Sequence, residues 1–193
     1  AAGFHAWQAD ALAAAGVDLL LAATLPALSE ALGLARAQAA TGLPYVISFV
    51  ARREGTLLDG TPLGTAIATI DAAVTPRPLA YLVNCTHASI FRSALLNERN
   101  SSSLVAQRVI GLLANTAALS PEELDERTDL VEEAPEVFGR SVAALRSELG
   151  MNPEVWLMSS REAIDARHAD GTVDEEKWAA SGIKQIENYV DTQ

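Results

Sequence analysis

Cysteine is almost absent from this chain of 193 residues, which contains a single one, Cys85. One thiol cannot close an internal disulfide bond, and it cannot by itself complete a zinc site, because zinc sites in proteins use three or four protein ligands. The sequence therefore lacks the disulfide framework that small secreted domains carry. We interpret this cysteine usage as typical of the reducing cytosol and predict a cytoplasmic location.

Positive charge is also scarce: 14 Lys and Arg residues stand against 25 Asp and Glu residues, giving a formal net charge of -11. A protein without a basic patch gains little from counterion release, so we predict no nucleic-acid partner and no anionic membrane partner. The apolar segment Val17 to Leu28 is too short to cross a bilayer, and it follows Asp10 and Asp18 rather than Lys or Arg. These features predict a soluble, intracellular protein.

Apolar residues are abundant, at 49% of the composition, and they form short runs that alternate with longer helical stretches. The runs predicted as strands are Val17–Ala22, Tyr45–Val50, Leu79–Asn84, Arg108–Leu113 and Val155–Met158. The stretches predicted as helices are Phe4–Ala15, Leu28–Ala40, Pro62–Ala73, Ser89–Leu96 and Pro135–Leu149. Strands that are apolar throughout, separated by helices, favour a parallel sheet covered by helices, either as an open α/β sheet or as part of a barrel.

An acidic segment follows the fourth predicted strand. Ser120-Pro121-Glu122-Glu123 predicts a helix start, with serine as N-cap, proline at the first helical position and Glu123 closing a capping box. The acidic run from Glu122 to Glu136 is most simply the solvated face of a helix. Near the carboxyl terminus, Glu175 to Val190 is an amphipathic stretch.

Polar side chains follow two of the predicted strands, at positions where α/β proteins place their chemistry. Asn84 and Cys85 end the third predicted strand, and Asn115 follows the fourth. Each asparagine either lines a pocket or caps the backbone of a loop. His87 is either a second metal ligand or a solvent-facing or hydrogen-bonded residue. Asp59 is either a general base or, with the glycine after it, a turn signal.

Several motifs, in order along the chain, resemble those of the homocysteine S-methyltransferases. The segment from Asp18 to Thr24, followed by Pro26, resembles the family's fourth strand. Ser48-Phe49 and the loop from Gly55 to Gly60 resemble the next strand and its loop, and Val83-Asn84-Cys85 resembles the motif whose cysteine is the first zinc ligand. Ala114-Asn115-Thr116, followed by Ser120 to Leu124, is similar to the seventh-strand region of a bacterial branch.

The resemblance implies a (β/α)8 barrel that binds zinc through three cysteines and holds homocysteine as a thiolate, which then attacks the methyl group of a donor. It implies zinc as the cofactor, a small-molecule thiol as the substrate, and Cys85 as a metal ligand. It also implies a substrate-binding role for side chains at the ends of four strands: Thr24, Ser48, Asn84 and Asn115. The family's need for zinc follows from thiol chemistry, since coordination to zinc deprotonates a thiol and keeps it nucleophilic.

The chain departs from the family pattern in three respects. An alignment through the segment Asp165 to His168 puts Ser159 to Ile164 where the family has its two adjacent cysteines. Ala23 stands where the family has a glutamate that holds the substrate's ammonium group. The chain also starts at the family's third helix, so we expect a partial barrel of about five parallel strands without the amino-terminal ones. We expect a single α/β domain over 1–193, comprising a partial homocysteine-binding barrel over 1–164 and a helical tail over 165–193.

These departures favour a homocysteine S-methyltransferase-like protein that is inactive because two of three zinc cysteines are absent. One alternative is an active enzyme that methylates a thiol, converting homocysteine to methionine, with zinc completed by His87, Glu162 or another chain. A second alternative is a non-enzymatic interaction module. Because a parallel sheet open at both edges exposes backbone groups and apolar side chains, we expect a homo-oligomer, a partner or the chain's own tail to cover those edges.

Overall fold

A computed structural model describes residues 1–129, 131, 133–149, 165–168, 172–181 and 184, and the chain divides into two compact units, Ala1–Met151 and Asn152–Gln193. The first unit contains eleven labelled elements, listed here in chain order. They are α1 Ala2–Ala14, β1 Leu20–Leu25, α2 Leu28–Ala40, β2 Tyr45–Phe49, α3 Leu63–Ala73, β3 Ala80–His87, α4 Ala88–Leu96, α5 Ser103–Arg108, β4 Val109–Asn115, α6 Pro121–Asp125 and α7 Pro135–Leu149. No helix in the described ranges is long and apolar enough to span a membrane.

The four strands form one sheet in the order β1-β2-β3-β4, and each pairs in parallel with the next. This confirms the predicted α/β class with a helix-flanked parallel sheet. The fifth predicted strand, Val155–Met158, falls outside the residues that the structure describes. All five residues of β2 are buried. Burial on both faces explains why four of the five are aromatic or β-branched and only one, Ser48, is a small polar residue.

The two faces of the sheet differ in their surroundings. Ile47, Phe49, Tyr81 and Val83 belong to the main apolar core, together with side chains of α2, α3 and α4. Because side chains alternate along a strand, the residues between them lie on the opposite face. That face carries the polar residues of β2 and β3, and it is the face from which the candidate site is built.

The amino-terminal edge of the sheet is held by an ion pair. Arg108, at the end of α5, donates through Nε and Nη2 to the two carboxylate oxygens of Asp71 on α3, at 2.9 and 3.0 Å. The Tyr81 hydroxyl donates to the same carboxylate at 2.9 Å, and the Arg108 guanidinium lies 5.3 Å from the centre of the Tyr81 ring. These contacts join α3, α5 and β3 at the edge opposite the candidate site.

Several predictions about where elements begin and end are wrong. The strand predicted from Val17 begins at Leu20, because the left-handed Gly16 (φ 83°) turns the chain and pairing with β2 starts only at Leu20. The strand predicted from Arg108 begins one residue later, since α5, a helix that the sequence did not predict, ends there. The acidic run to Glu136 is not one helical face: the capping box forms, but α6 ends at Asp125 and α7 begins only at Pro135.

The second unit is small in its described part. Asp174 caps a short helix, α8, Glu175–Ala180, by accepting hydrogen bonds from the backbone N–H groups of Glu176 and Lys177. Trp178 of this helix packs with Ala166 in a small apolar cluster. The rest of the predicted amphipathic stretch, apart from Ser181 and Lys184, lies outside the described residues. The division at 164/165 into barrel and tail stays a prediction.

Candidate functional site

The side chain of Asn84 connects three strands at the carboxyl edge of the sheet. Its Oδ1 accepts hydrogen bonds from the backbone N–H of Thr24 at 3.0 Å and from the hydroxyl of Ser48 at 2.6 Å. Its Nδ2 donates to Thr24 Oγ1 at 2.8 Å and to Cys85 Sγ at 3.1 Å. We call Thr24, Ser48, Asn84 and Cys85 the Asn84 cluster. The structure thus joins β1, β2 and β3 through four of the five residues to which the family resemblance gives a substrate- or metal-binding role.

Two members of the Asn84 cluster have left-handed backbones. Thr24 has φ 63° and Cys85 has φ 51°, and they are the non-glycine residues with positive φ in the described chain. Each lies within an irregularity of strand pairing, between Ala22 and Leu25 in β1 and between Asn84 and Thr86 in β3. Bulges of this kind re-aim a side chain, and they are common beside functional sites.

Cys85 is exposed and borders a pocket of about 210 Å³. The loop that follows β2 and the segment around the start of α6 form the other walls. Arg52 of the loop donates through both terminal nitrogens to the carboxylate of Glu122, so an ion pair joins these two walls. Cys85 is therefore an exposed residue in the wall of a small pocket.

The other two predicted polar residues lie beside the Asn84 cluster rather than in it. Asn115 ends β4 opposite His87 and is half-buried. The ring of His87 is buried: its Nδ1 accepts from the backbone N–H of Ser89 at 3.1 Å and caps α4, while its Nε2 lies 3.0 Å from a Glu133 carboxylate oxygen. Because Nδ1 accepts, Nε2 carries the proton and donates to Glu133. Both ring nitrogens are therefore engaged within the chain.

The residues around Cys85 do not fit a zinc ion. No group of three His, Cys, Asp or Glu side chains that could hold a metal occurs in the described part of the chain. The nearest candidate in sequence, His87, uses both nitrogens elsewhere, and a three-thiolate site needs cysteines that these 193 residues do not contain. Glu162 and the segment Ser159 to Ile164 lie outside the described residues.

Asp59 occupies a structural position. One carboxylate oxygen accepts from the backbone N–H of Leu28 at the start of α2, and the other accepts from the N–H of Thr61 in the turn. Burial alone would raise the pKa of Asp59, but these donors outweigh it and hold that pKa below its usual value. The turn continues through Gly60 (φ 85°). These contacts match the turn interpretation of Asp59.

The sequence reasoning missed three charged residues near the site. Arg52 lies three residues after the carboxyl end of β2, and that position could have marked it as a pocket residue. Glu122 was interpreted as a solvated helix residue, since nothing local reveals its pairing with a residue 70 positions away. The contact between Glu133 and His87 spans 46 positions and likewise has no local signal.

Comparison with known proteins gives one match. The family model described as homocysteine S-methyltransferase matches residues 1–184, nearly the whole chain. Searches of curated proteins and of solved structures found no match. The matched range includes both the Asn84 cluster and the pocket beside Cys85.

Proposed function

Because the chain belongs to the homocysteine S-methyltransferase family, we propose that it is part of a (β/α)8 barrel that keeps the thiol-substrate end of the family's site but does not by itself catalyse zinc-dependent methyl transfer. The observation that carries this proposal is that Cys85 is the single cysteine of the sequence, with no group of three metal ligands among the described residues. A free thiol is mostly protonated at neutral pH and needs activation before it attacks a methyl group.

The residues of this chain suit binding better than activation. The pocket of about 210 Å³ beside Cys85 is open to a small thiol. We propose that Thr24 and Asn115, near the carboxyl ends of β1 and β4, meet the polar end of such a molecule. Ser48 is fully buried, so it contributes indirectly, by donating a hydrogen bond to Asn84. We also propose a cytoplasmic location, supported by the near absence of cysteine.

Metal content and activity test the proposal together. The purified chain is expected to contain well under one zinc per molecule and to transfer no methyl group from a sulfonium or quaternary ammonium donor to homocysteine. Cys85→Ser is expected to leave the metal content unchanged. Stoichiometric zinc that disappears in Cys85→Ser, accompanied by methionine formation, would refute the inactive assignment.

A second candidate is an active enzyme whose zinc site is completed by another chain. The exposure of Cys85 supports it, because an external thiolate can reach the sulfur from the pocket. Its signature is zinc and methyl transfer that appear only above a threshold protein concentration. Zinc measurements across a dilution series, paired with light scattering, distinguish it from the first candidate.

A third candidate is an interaction module that binds a copy of itself or a partner along the sheet edges. Apolar side chains on the two edge strands support it: Leu21 of β1 is 49% exposed, and Ile110 and Leu113 of β4 are 62% and 51% exposed. Isolated exposed leucines are ordinary, whereas several at sheet edges favour association. Light scattering of wild type and Ile110→Lys tests this, and an unchanged monomeric mass for both would exclude self-association.

A further inference from the structure

We propose that Asn84 is a positioning residue, which sets the orientation of the Cys85 thiol toward the pocket instead of contacting the substrate itself. Its importance for a thiol substrate rests on the proposed function. The hydrogen bonds that carry the inference, however, belong to the chain alone. The sequence pattern places Asn84 at the edge of the sheet without distinguishing these two roles.

The amide of Asn84 has no hydrogen-bonding capacity left for a ligand. An asparagine side chain offers two acceptor sites on Oδ1 and two protons on Nδ2. Thr24 and Ser48 occupy the acceptor sites, and Thr24 Oγ1 and Cys85 Sγ receive the two protons. A substrate could bind Asn84 only by breaking one of these bonds, and Asn84 is only 4% exposed.

The direction of the amide is fixed by a group that can only donate. The backbone N–H of Thr24 has no lone pair to offer, so the Asn84 atom facing it at 3.0 Å must be the oxygen. The nitrogen therefore faces the other way, toward Thr24 Oγ1 and Cys85 Sγ. An N–H group, rather than an oxygen, is thus presented to the sulfur at 3.1 Å.

Asn84 also joins the two strained residues of the site. Left-handed backbone is unfavourable for a non-glycine residue, and both Thr24 (φ 63°) and Cys85 (φ 51°) adopt it. Such conformations persist only where surrounding contacts hold them. The Asn84 side chain bonds the backbone and hydroxyl of one of these residues and the sulfur of the other, so a single amide couples their orientations.

The experiment is alkylation of Cys85 by iodoacetamide as a function of pH, since this sulfur is the only thiol in the chain. Asn84→Asp keeps the side chain's shape but replaces the N–H facing the sulfur with a negatively charged oxygen. The charge opposes formation of the reactive thiolate. We expect alkylation at pH 7.5 to be about tenfold slower and the pH–rate profile to shift to higher pH.

Asn100→Asp is the matched control. Asn100 is 2% exposed, and its amide is likewise hydrogen-bonded inside the chain, to Gly64 N, Gly55 O and Ala94 O. None of these hydrogen bonds involves a member of the Asn84 cluster. Its replacement is expected to lower stability and leave the Cys85 profile where it was. Equal profile shifts in both variants would mean that general loosening, not positioning, controls the thiol, and would overturn the proposal.

An NMR measurement on the wild-type protein keeps the test decisive if Asn84→Asp does not fold. The Asn84 side-chain amide protons are expected to exchange slowly with solvent and to change chemical shift when Cys85 is alkylated. Rapid exchange, or a signal that ignores alkylation, would also overturn the proposal. Neither readout requires zinc, homocysteine or a methyl donor, so failure here is distinguishable from failure of the proposed function.

Discussion

Asp71→Ala is predicted to destabilise the first unit strongly, because Asp71 accepts from two neighbouring side chains at the amino edge of the sheet. Arg108 donates two hydrogen bonds to its carboxylate, at 2.9 and 3.0 Å, and the Tyr81 hydroxyl donates a third, at 2.9 Å. The Asp71 and Arg108 side chains are each 12% exposed. Removal of the carboxylate therefore leaves a largely buried guanidinium and a fully buried tyrosine without their common acceptor.

The decrease in the free energy of unfolding depends on the contacts that Arg108 keeps after the substitution. Removing one partner of a fully buried ion pair costs about 3–5 kcal/mol. Two features reduce this value: the pair keeps some solvent contact, and Arg108 still donates to the carbonyl oxygens of Pro78 and Leu79 at 2.7 and 2.8 Å. We therefore expect a decrease of about 3 kcal/mol in the free energy of unfolding, at the low end of that range. Asp71→Asn, which keeps one acceptor oxygen, should lose less.

Urea denaturation followed by circular dichroism measures this difference, and Asp129→Ala is the matched control. Asp129 also pairs with an arginine, Arg127, but their side chains are 64% and 42% exposed, so solvent screens the interaction. The control is expected to unfold at the wild-type urea midpoint. A midpoint for Asp71→Ala that coincides with that of Asp129→Ala would refute the view that this ion pair holds the sheet edge.

Three further predictions concern pH and backbone geometry. The folded pKa of Asp59 lies below its ordinary value of 3.8, so its ionised form stabilises the fold above pH 3.8, and this stabilisation is lost as the pH falls through the folded pKa. Asp59→Asn should therefore be less stable than wild type at pH 7 and should lose less stability on acidification. Urea unfolding at pH 7 and at a pH below the folded pKa of Asp59 measures both effects. Burial raises the pKa of Tyr45 from 10.0 to about 12, so its neutral form contributes stability that is lost as the pH rises from about 10 to about 12. In urea unfolding over that pH range, the stability of Tyr45→Phe should therefore decrease less than that of wild type. Gly55 and Gly60 both have positive φ, but a Cβ on Gly55 would lie 2.4 Å from Asn100 Nδ2, whereas a Cβ on Gly60 would meet nothing within 4 Å. In thermal melts, Gly60→Ala should therefore lower the free energy of unfolding by about 1 kcal/mol, and Gly55→Ala should lower it clearly more. Equal losses in the two variants would contradict the packing of Gly55 against Asn100.

The elements that sequence predicted best are those with purely local signals. The predicted and observed limits agree for α2, Leu28–Ala40, and for α7, Pro135–Leu149, because helix-forming residues fill them and proline or glycine stands near their ends. β3 was predicted to stop at Asn84 but runs to His87. Polar residues at its end gave no strand signal, and pairing with β4 extends it. Strand ends depend on partners that local sequence does not reveal.

The candidate site shows the same division. The strand-end position of Asn84 and Cys85 was readable from an apolar run that ends in polar residues. The hydrogen bond from Thr24 to Asn84 spans 60 positions. The left-handed backbone of Thr24 could not be predicted locally either, because the residue is not a glycine. Local preference disfavours that conformation for a β-branched residue, so only the assembled sheet edge can impose it.

The Asn84 cluster and a zinc site depend on different residues of the chain. The cluster is closed by groups that the chain supplies itself, since the amide of Asn84 meets Thr24, Ser48 and Cys85 without a metal between them. Losing other thiolate ligands would therefore leave this arrangement intact, and an intact cluster is no measure of catalytic competence. Under the proposed function, competence would require further ligands at Cys85, an exposed residue that lines the pocket.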